Sequence, residues 1–409
     1  MRPGVTQSGP SPGGQRDGAL NSHSPSGRLE ECSMRLQRLP LFGALVSLLA
    51  SLVLVAPAAA AAPAARATWR VSVLASGLDN PRGIAVDENG RVFVAAAGRG
   101  GPMGYAPTGK ILVIDRWGRL RTFAAGLPSA KSPEGEITGP TNIALPEDGT
   151  PVAIIGGGPQ NVDPRFNSTV RLRTGQVTGN IQAFVNAHPD RTDLDRPPNP
   201  TDSNPYGAAG LDDAGVLVTD AANNTLLMVG PAGRVQMIAK FPNQVISTSH
   251  LPPQMGLPPM LPAEAVPTTV AVGPDGYWYV GELKGFPFTP GASRIWRVAP
   301  WARNVTCSPT ARSGACTLFM GGFTSITGLD FGPDGSLYVV EIVKSGVFGL
   351  FSGTSTTGAL YRVRNGVRTE IAAGQLTVPD DVAVGRNGTI YVTNKSVFVG
   401  GGEVLAIRR

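Results

Sequence analysis

One unit recurs six times along this chain, and a repeat of that length leaves few folds open. Each copy has, in most cases, a proline, two residues, an apolar triplet, a turn closing on glycine and an alternating apolar strand. The copies are NPRGIAVDENGRVFVAA (80–96), GPTNIALPEDGTPVAII (139–155), NPYGAAGLDDAGVLVTD (204–220), VPTTVAVGPDGYWYVGE (266–282), SITGLDFGPDGSLYVVE (325–341) and VPDDVAVGRNGTIYVTN (378–394). The turn glycines Gly90, Gly149, Gly215, Gly276, Gly335 and Gly388 lie 59, 66, 61, 59 and 53 residues apart. About sixty residues suffice for a four-stranded blade with its loops, so the expected fold is a six-bladed β-propeller.

Each unit has a physical reading. The apolar triplet is the innermost strand, short and buried on both faces. The x-D-G or x-N-G that follows is a hairpin turn needing positive φ, which Gly and Asn adopt cheaply. The next run, as in Tyr277-Trp278-Tyr279-Val280, places bulk in the wedge between blades. Third strands follow at 109–115, 224–230, 293–299, 358–364 and 402–408, and fourth strands at 121–127, 234–241, 316–323 and 368–374. The second unit fits least well, because Pro151 interrupts its strand and its outer strands near 170–186 are hard to place. The sixth unit ends after its third strand at Arg409, while WRVSVLASGL (69–78) has the fourth-strand pattern and precedes the first unit. Trp69 to Ala75 should therefore pair beside Gly402 to Ile407 and close the ring, which hides the open sheet edges.

Residues 34–66 read as a signal peptide. Arg35 and Arg38 form a positive n-region, Leu39 to Val55 an apolar h-region, and an alanine tract offers cleavage sites. The rival, a membrane anchor, has a stretch of only seventeen residues with Pro40 among them, which is marginal for spanning. Residues 1–33 are Gly-, Ser- and Pro-rich and read as an extension upstream of a start at Met34. The domains expected are thus 1–33 extension, 34–66 leader and 67–409 propeller, with a secreted, monomeric product and no membrane contact after cleavage.

Half of the formal charge of +6 lies outside the propeller. Residues 1–66 hold six Arg against three acids, which leaves 29 bases and 26 acids in the rest. No basic run appears, and nucleic acid is excluded as a partner class. Beyond Cys32 the only cysteines are Cys307 and Cys316. In an exported protein such a pair is expected to be a disulfide, here closing a hairpin between the outer strands of the fourth blade.

In a propeller, the segments entering the innermost strands and the loops after the second strands share one face. The entry positions are Arg82, Thr141, Tyr206, Thr268, Thr327 and Asp380, followed by Gly83, Asn142, Gly207, Thr269, Gly328 and Asp381. The second strands end on Asp220, Glu282, Glu341 and Asn394. These four with Asp381 and Asn142 are candidate binding residues, and the four with Asp381 could gather oxygen ligands for calcium; the alternative is that they cap loop amides. Histidine is restricted in this part of the chain to His188 and His250 in Pro-rich loops, so a three-His zinc site cannot be built. Within 67–409 no G-x-S-x-G motif signals a serine hydrolase.

The loops after the last three second strands read ELKGFPFTPGAS (282–293), EIVKSGVFGLFSGTSTTG (341–358) and NKSVFVGGG (394–402). Each opens with an acid or Asn, then carries Lys and Phe: Glu282/Lys284/Phe286, Glu341/Lys344/Phe348 and Asn394/Lys395/Phe398. Lys284, Phe286, Phe288, Phe348 and Phe398 are therefore further binding candidates, standing over the channel mouth. The alternative is that the phenylalanines form mini-cores under the loops.

On DSNPYG (202–207), VTDAANNTLLMV (218–229), the run from Val266 to Val298 containing GELKGFPF, and LDFGPDGSLYVVEI (329–342), the chain resembles the ScyD/ScyE family. These are bacterial propellers named for genes in scytonemin pigment clusters, and the resemblance covers essentially all of 69–409. It implies an exported propeller and brings no established catalytic residues. The weaker likeness to NHL and SMP-30-like propellers lies in the blade pattern. SMP-30-like lactonases hold a divalent cation through carboxylates and Asn at the entry positions, where this chain has Asp380 alone as a suitable ligand and Arg82 as a repelling charge. Two readings follow: a binding propeller for a small molecule or an extracellular protein or peptide, and a metal-assisted hydrolase, lactonase or lyase. A quinone-dependent sugar dehydrogenase would need a basic cofactor cradle and a His base, which are missing.

Overall fold

The short apolar runs between turn glycines form antiparallel sheets because each apolar strand finds its nearest partner across a tight turn. The computed structural model describes residues 68–409 except 103, 148, 149, 213 and 214. The leader, the upstream extension, Cys32 and the turn Gly149 lie outside the described residues.

Six sheets correspond to the six repeats. Their innermost strands are Pro81–Val86, Pro140–Ala144, Pro205–Gly210, Pro267–Val272, Ile326–Phe331 and Val382–Val384. In blade 1 the order continues with Val92–Ala96, Gly109–Ile114 and Leu120–Leu127, and blades 3 to 5 repeat it. The second blade, obscure in sequence, builds its outer strands from Ser168–Arg171 and Gln176–Asn180, with its second strand starting at Val152 directly after Pro151. Proline is tolerated at that position because the strand begins after it.

Closure follows the expected pairing, with a strand that begins at Arg70 and runs on to Leu78. Arg70–Leu78 pairs antiparallel with Gly402–Arg408, from Arg70 opposite Arg408 to Leu78 opposite Gly402. The first strand of the propeller thus supplies the outer strand of the sixth blade, and the last strand has a partner on each side.

The alternating large residues fill the wedges between adjacent blades. Leu78, Ile84, Val94, Leu112, Tyr391 and Val404 form the seam between blades 6 and 1, and five analogous clusters occupy the other seams. Trp296 and Phe241 meet in the seam between blades 3 and 4 with ring centroids 6.0 Å apart.

The disulfide Cys307–Cys316 is present, but its setting differs from the expected hairpin. Val305–Thr306 leaves blade 4 and pairs in parallel with the outer strand Val235–Lys240 of blade 3. Cys316 opens the outer strand of blade 4, so the bond ties two neighbouring blades together. The reason is the open edge of blade 3, whose unpaired backbone groups the passing segment covers: Cys307 N–H donates to the Lys240 carbonyl at 2.9 Å.

Candidate functional site

Entry residues from opposite sides of the ring meet at the axis. The Tyr206 hydroxyl of blade 3 reaches both carboxylate oxygens of Asp380 in blade 6, at 2.9 and 3.0 Å. Arg82 of blade 1 is buried beside them and donates to the Ile137 carbonyl at 3.2 Å. Burial opposes the Arg82 charge, yet Tyr206, Asp380 and Glu136 more than offset it and its pKa is raised. Burial, and then the Asp380 charge, push the Tyr206 phenol well above its ordinary value. Burial also raises Asp380, against the pull of Arg82 and of the Tyr206 hydrogen bond. Thr141 and Thr268 donate to Pro205 and Ile326 carbonyls of the next blades, at 2.9 and 2.6 Å.

These entry residues do not fit a divalent cation. Their one carboxylate, Asp380, is engaged by a phenol and faces a guanidinium, and the remaining oxygens are hydroxyls committed to backbone or, at Thr327, buried without a partner.

One layer deeper, glycine and a side-chain donor or acceptor alternate: Gly83, Asn142, Gly207, Thr269, Gly328, Asp381. The alternation is steric. A Cβ on Gly83 would stand 2.5 Å from Asn142 Cγ, one on Gly207 2.5 Å from Thr269 Cα, and one on Gly328 2.8 Å from Asp381 Cα. Each polar residue bridges to a neighbour. Asp381 accepts from Ile84 N–H and from Asn142 Nδ2, both at 3.1 Å, and Thr269 Oγ1 accepts from Leu329 N–H at 3.0 Å. The Ile84 and Leu329 N–H groups belong to innermost strands, which have no further strand on the axial side.

The following layer is Ala85, Ala144, Ala209, Ala271 and Ala383, interrupted by Asp330. Asp330 accepts from Val384 N–H at 2.7 Å and Phe331 N–H at 2.8 Å. Around these residues runs an axial cavity of about 230 Å³, reaching from Asn142, Thr269 and Asp381 to the ends of the innermost strands. Asp330 was missed as a site residue in the sequence, although an acid standing where five other copies have alanine is a legible signal.

Burial pushes Asp381 up to about 8 and Asp330 up to about 7. Both folded values lie above those of the unfolded chain. Their stabilising bias is therefore complete below about pH 4 and is lost as pH rises through 7 and 8. A tenfold bias in protonation is worth about 1.4 kcal/mol. Urea unfolding should show the propeller several kcal/mol less stable at alkaline than at mildly acidic pH, and Asp381→Asn should flatten that slope. A stability that is constant or rises between these conditions would refute this account.

The four residues ending second strands do not converge at the axis. Asp220 accepts from Ser203 Oγ, Asn204 N–H and Asn223 N–H at 2.7, 2.8 and 3.1 Å. Glu341, raised to about 7 by burial, accepts from Thr324 N–H at 2.8 Å. Asn394 accepts from Thr377 N–H at 2.8 Å and donates to Glu403. Glu282 accepts from Trp296 Nε1 at 2.6 Å and pairs with Lys284 Nζ at 2.7 Å, both partners buried. Each braces its own blade, because the N–H groups of the adjoining loop or a neighbouring side chain are nearer than the axis. Apart from the Glu282–Lys284 pair, only Asp381 and Asn142 of the candidate polar residues meet, so the five do not gather into the calcium ligand set that they could have formed. Among the described residues the one group of three carboxylates within 4.8 Å is Asp193, Asp195 and Glu264, in loops of the same face.

The aromatic loops divide between the two expectations. Phe288 packs with Val343, Val347, Leu350, Val378 and Val397 into a small core joining the loops of blades 4, 5 and 6. Phe348 is half-buried in the short helix Val347–Phe351. Phe286 and Phe398 remain about two-fifths exposed, and Phe351, not singled out in sequence, is 72% exposed. Phe286, Phe288 and Phe351 form an edge-to-face series with centroids 5.9 and 5.8 Å apart. Lys344 and Lys395 pair with Glu370 and Glu403.

No protein-family model matches the sequence, and no curated protein matches it. Solved structures are similar in fold. A protein of unknown function from Bacteroides thetaiotaomicron gives a TM-score of 0.50 at 12% identity, covering 83% of this chain and 76% of that one. Virginiamycin B lyase from Staphylococcus aureus gives 0.44 at 14% identity, covering 83% and 99%. Regucalcin, a calcium-binding protein from Agrobacterium tumefaciens, gives 0.46 at 12% identity, covering 82% and 93%. At these identities the likeness speaks to the six-bladed propeller fold alone.

Proposed function

We propose that this chain is an exported binding propeller of the ScyD/ScyE kind, which contacts an extracellular protein or peptide through the loop face of blades 4 to 6. The observation that carries the reading is the aromatic ledge. Three loops share one core through Phe288, Val343, Val378 and Val397, and present Phe286, Phe351 and Phe398 outward. The ledge is braced from the side, since His250 Nε2 donates to the Pro287 carbonyl at 2.9 Å and Thr289 Oγ1 to the Ser247 carbonyl at 2.6 Å. Aromatic rings held rigid and left in water are costly unless a partner covers them. The metal-assisted hydrolase reading lacks this kind of support, because the entry residues supply Arg82 and a single engaged carboxylate.

The test is selection from a random displayed peptide library on the wild type and on the Phe286→Ser/Phe351→Ser/Phe398→Ser variant. Enriched peptides should bind the variant at least about tenfold more weakly, a loss of about 1.4 kcal/mol. No enrichment on the wild type, or equal binding to both proteins, would sink the proposal.

A further inference from the structure

The aromatic ledge abuts the acidic cluster. Residues 283–285 run beside 264–266: Leu283, Lys284 and Gly285 N–H donate to Val266, Ala265 and Glu264 carbonyls at 2.9, 3.2 and 3.0 Å. Glu264 thus stands against the loop that carries Phe286, and its carboxylate oxygens lie within 4.8 Å of those of Asp193 and Asp195. None of these three acids is in an ion pair among the described residues. Lys240, the nearby cation, is committed to Asp190. Arg196 donates to the Asp195 backbone carbonyl. The ledge lysines are likewise taken, Lys284 by Glu282 and Lys344 by Glu370.

We infer that the partner of the loop face is a basic, apolar peptide segment, whose aromatic or aliphatic side chains lie on Phe286 and Phe351 while a lysine or arginine enters among Asp193, Asp195 and Glu264. The inference rests on the loop-face reading above and adds the chemistry of the partner. Charge complementarity selects it: Asp193 accepts only backbone N–H groups, from Asp195 and Asn199, and an apolar surface bordered by carboxyl groups without a cationic partner favours a cationic amphipath over an acidic one. Glu264 agrees, since burial and then Asp195, Asp193 and Asp190 push it up to about 7, and a bound cation would relieve that crowding. The Asn224 side chain, which donates to Glu264 at 3.0 Å, works the other way.

The experiment uses short fluorescent peptides and the whole propeller. One alternates Lys with Phe and Leu, one carries Glu for every Lys, and one carries Ser for every Phe and Leu. Only the first should bind, and Asp195→Asn/Glu264→Gln should weaken it about tenfold while Phe286→Ser/Phe351→Ser weakens it at least as much. Salt should weaken it further. If the Glu peptide binds as well and is lost in the phenylalanine variant, the partner class fails and the loop face stands. If the phenylalanine variant binds every peptide as the wild type does, both readings fail. Binding to anionic or neutral lipid vesicles in place of the Lys peptide overturns the inference, as does calcium that occupies the three carboxylates and displaces the peptide. Asp195 is exposed, and unchanged melting of Asp195→Asn alone separates lost binding from lost folding.

Discussion

A chain lacking residues 69–78 should fail to accumulate as soluble monomer, whereas one lacking residues 1–66 should melt as the full chain does. The deleted strand is paired from Arg70 to Leu78 along the whole of Gly402–Arg408. It also carries Leu78 and Ala75 into the seam between blades 6 and 1, with Trp69 and Val71 packed on the far side against blade 5. Its loss opens the velcro of the ring, exposes a hydrophobic edge strand and uncovers both seams. Edges of that kind template aggregation. The destabilisation is on the order of the whole stability of a domain, about 5–15 kcal/mol. Size-exclusion chromatography of both truncations decides the matter, and adding a peptide of residues 68–79 during refolding should restore part of the soluble species. A folded, monomeric 79–409 chain would show that the sixth blade stands without its outer strand.

Glu282→Ala should be the most damaging single substitution on the loop face. Glu282 and Lys284 are 0% and 1% exposed, and the carboxylate also accepts from buried Trp296 Nε1. Burial raises the Glu282 pKa and lowers that of Lys284, while each charge pulls the other back. Removing one member leaves a buried charge or forces it neutral, which costs about 3–5 kcal/mol. Removing both with apolar or neutral residues of similar size is much cheaper, so Glu282→Gln/Lys284→Met should recover most of the loss. Denaturant unfolding of Glu282→Gln, Lys284→Met and the double closes the cycle. Additive effects, with no recovery in the double, would mean that the pair acts independently and that the ion pair does not hold the loop.

Around Lys284, one local motif takes three different arrangements. In sequence, Glu282/Lys284/Phe286, Glu341/Lys344/Phe348 and Asn394/Lys395/Phe398 look equivalent. In the structure the first lysine is buried on its own glutamate, and the other two reach strands further along the chain, at Glu370 and Glu403. The most exposed ring is Phe351, which the short helix Val347–Phe351 turns outward. Loop length and the packing of neighbouring loops decided this, and neither is written in the local pattern.

The repeat itself determined the number of blades, the strands of all but the second and the closing strand, because those depend on local rules. Alternating apolar residues pair across the nearest tight turn, and a spare fourth strand at one terminus has a single vacancy at the other. Which polar groups would meet was decided only by the closed ring. Tyr206 and Asp380 are 174 residues apart in sequence, Asn142 and Asp381 239, and Ile84 and Asp381 297. A strand-end carboxylate can turn to the axis or to the N–H groups of its own loop, and both directions satisfy the same sequence. Asp220 and Glu341 took the loop because those donors are fixed close by, and Asp381 took the axis because the glycine beside it in the ring left room. That choice rests on distances between blades, which exist only once all six have closed.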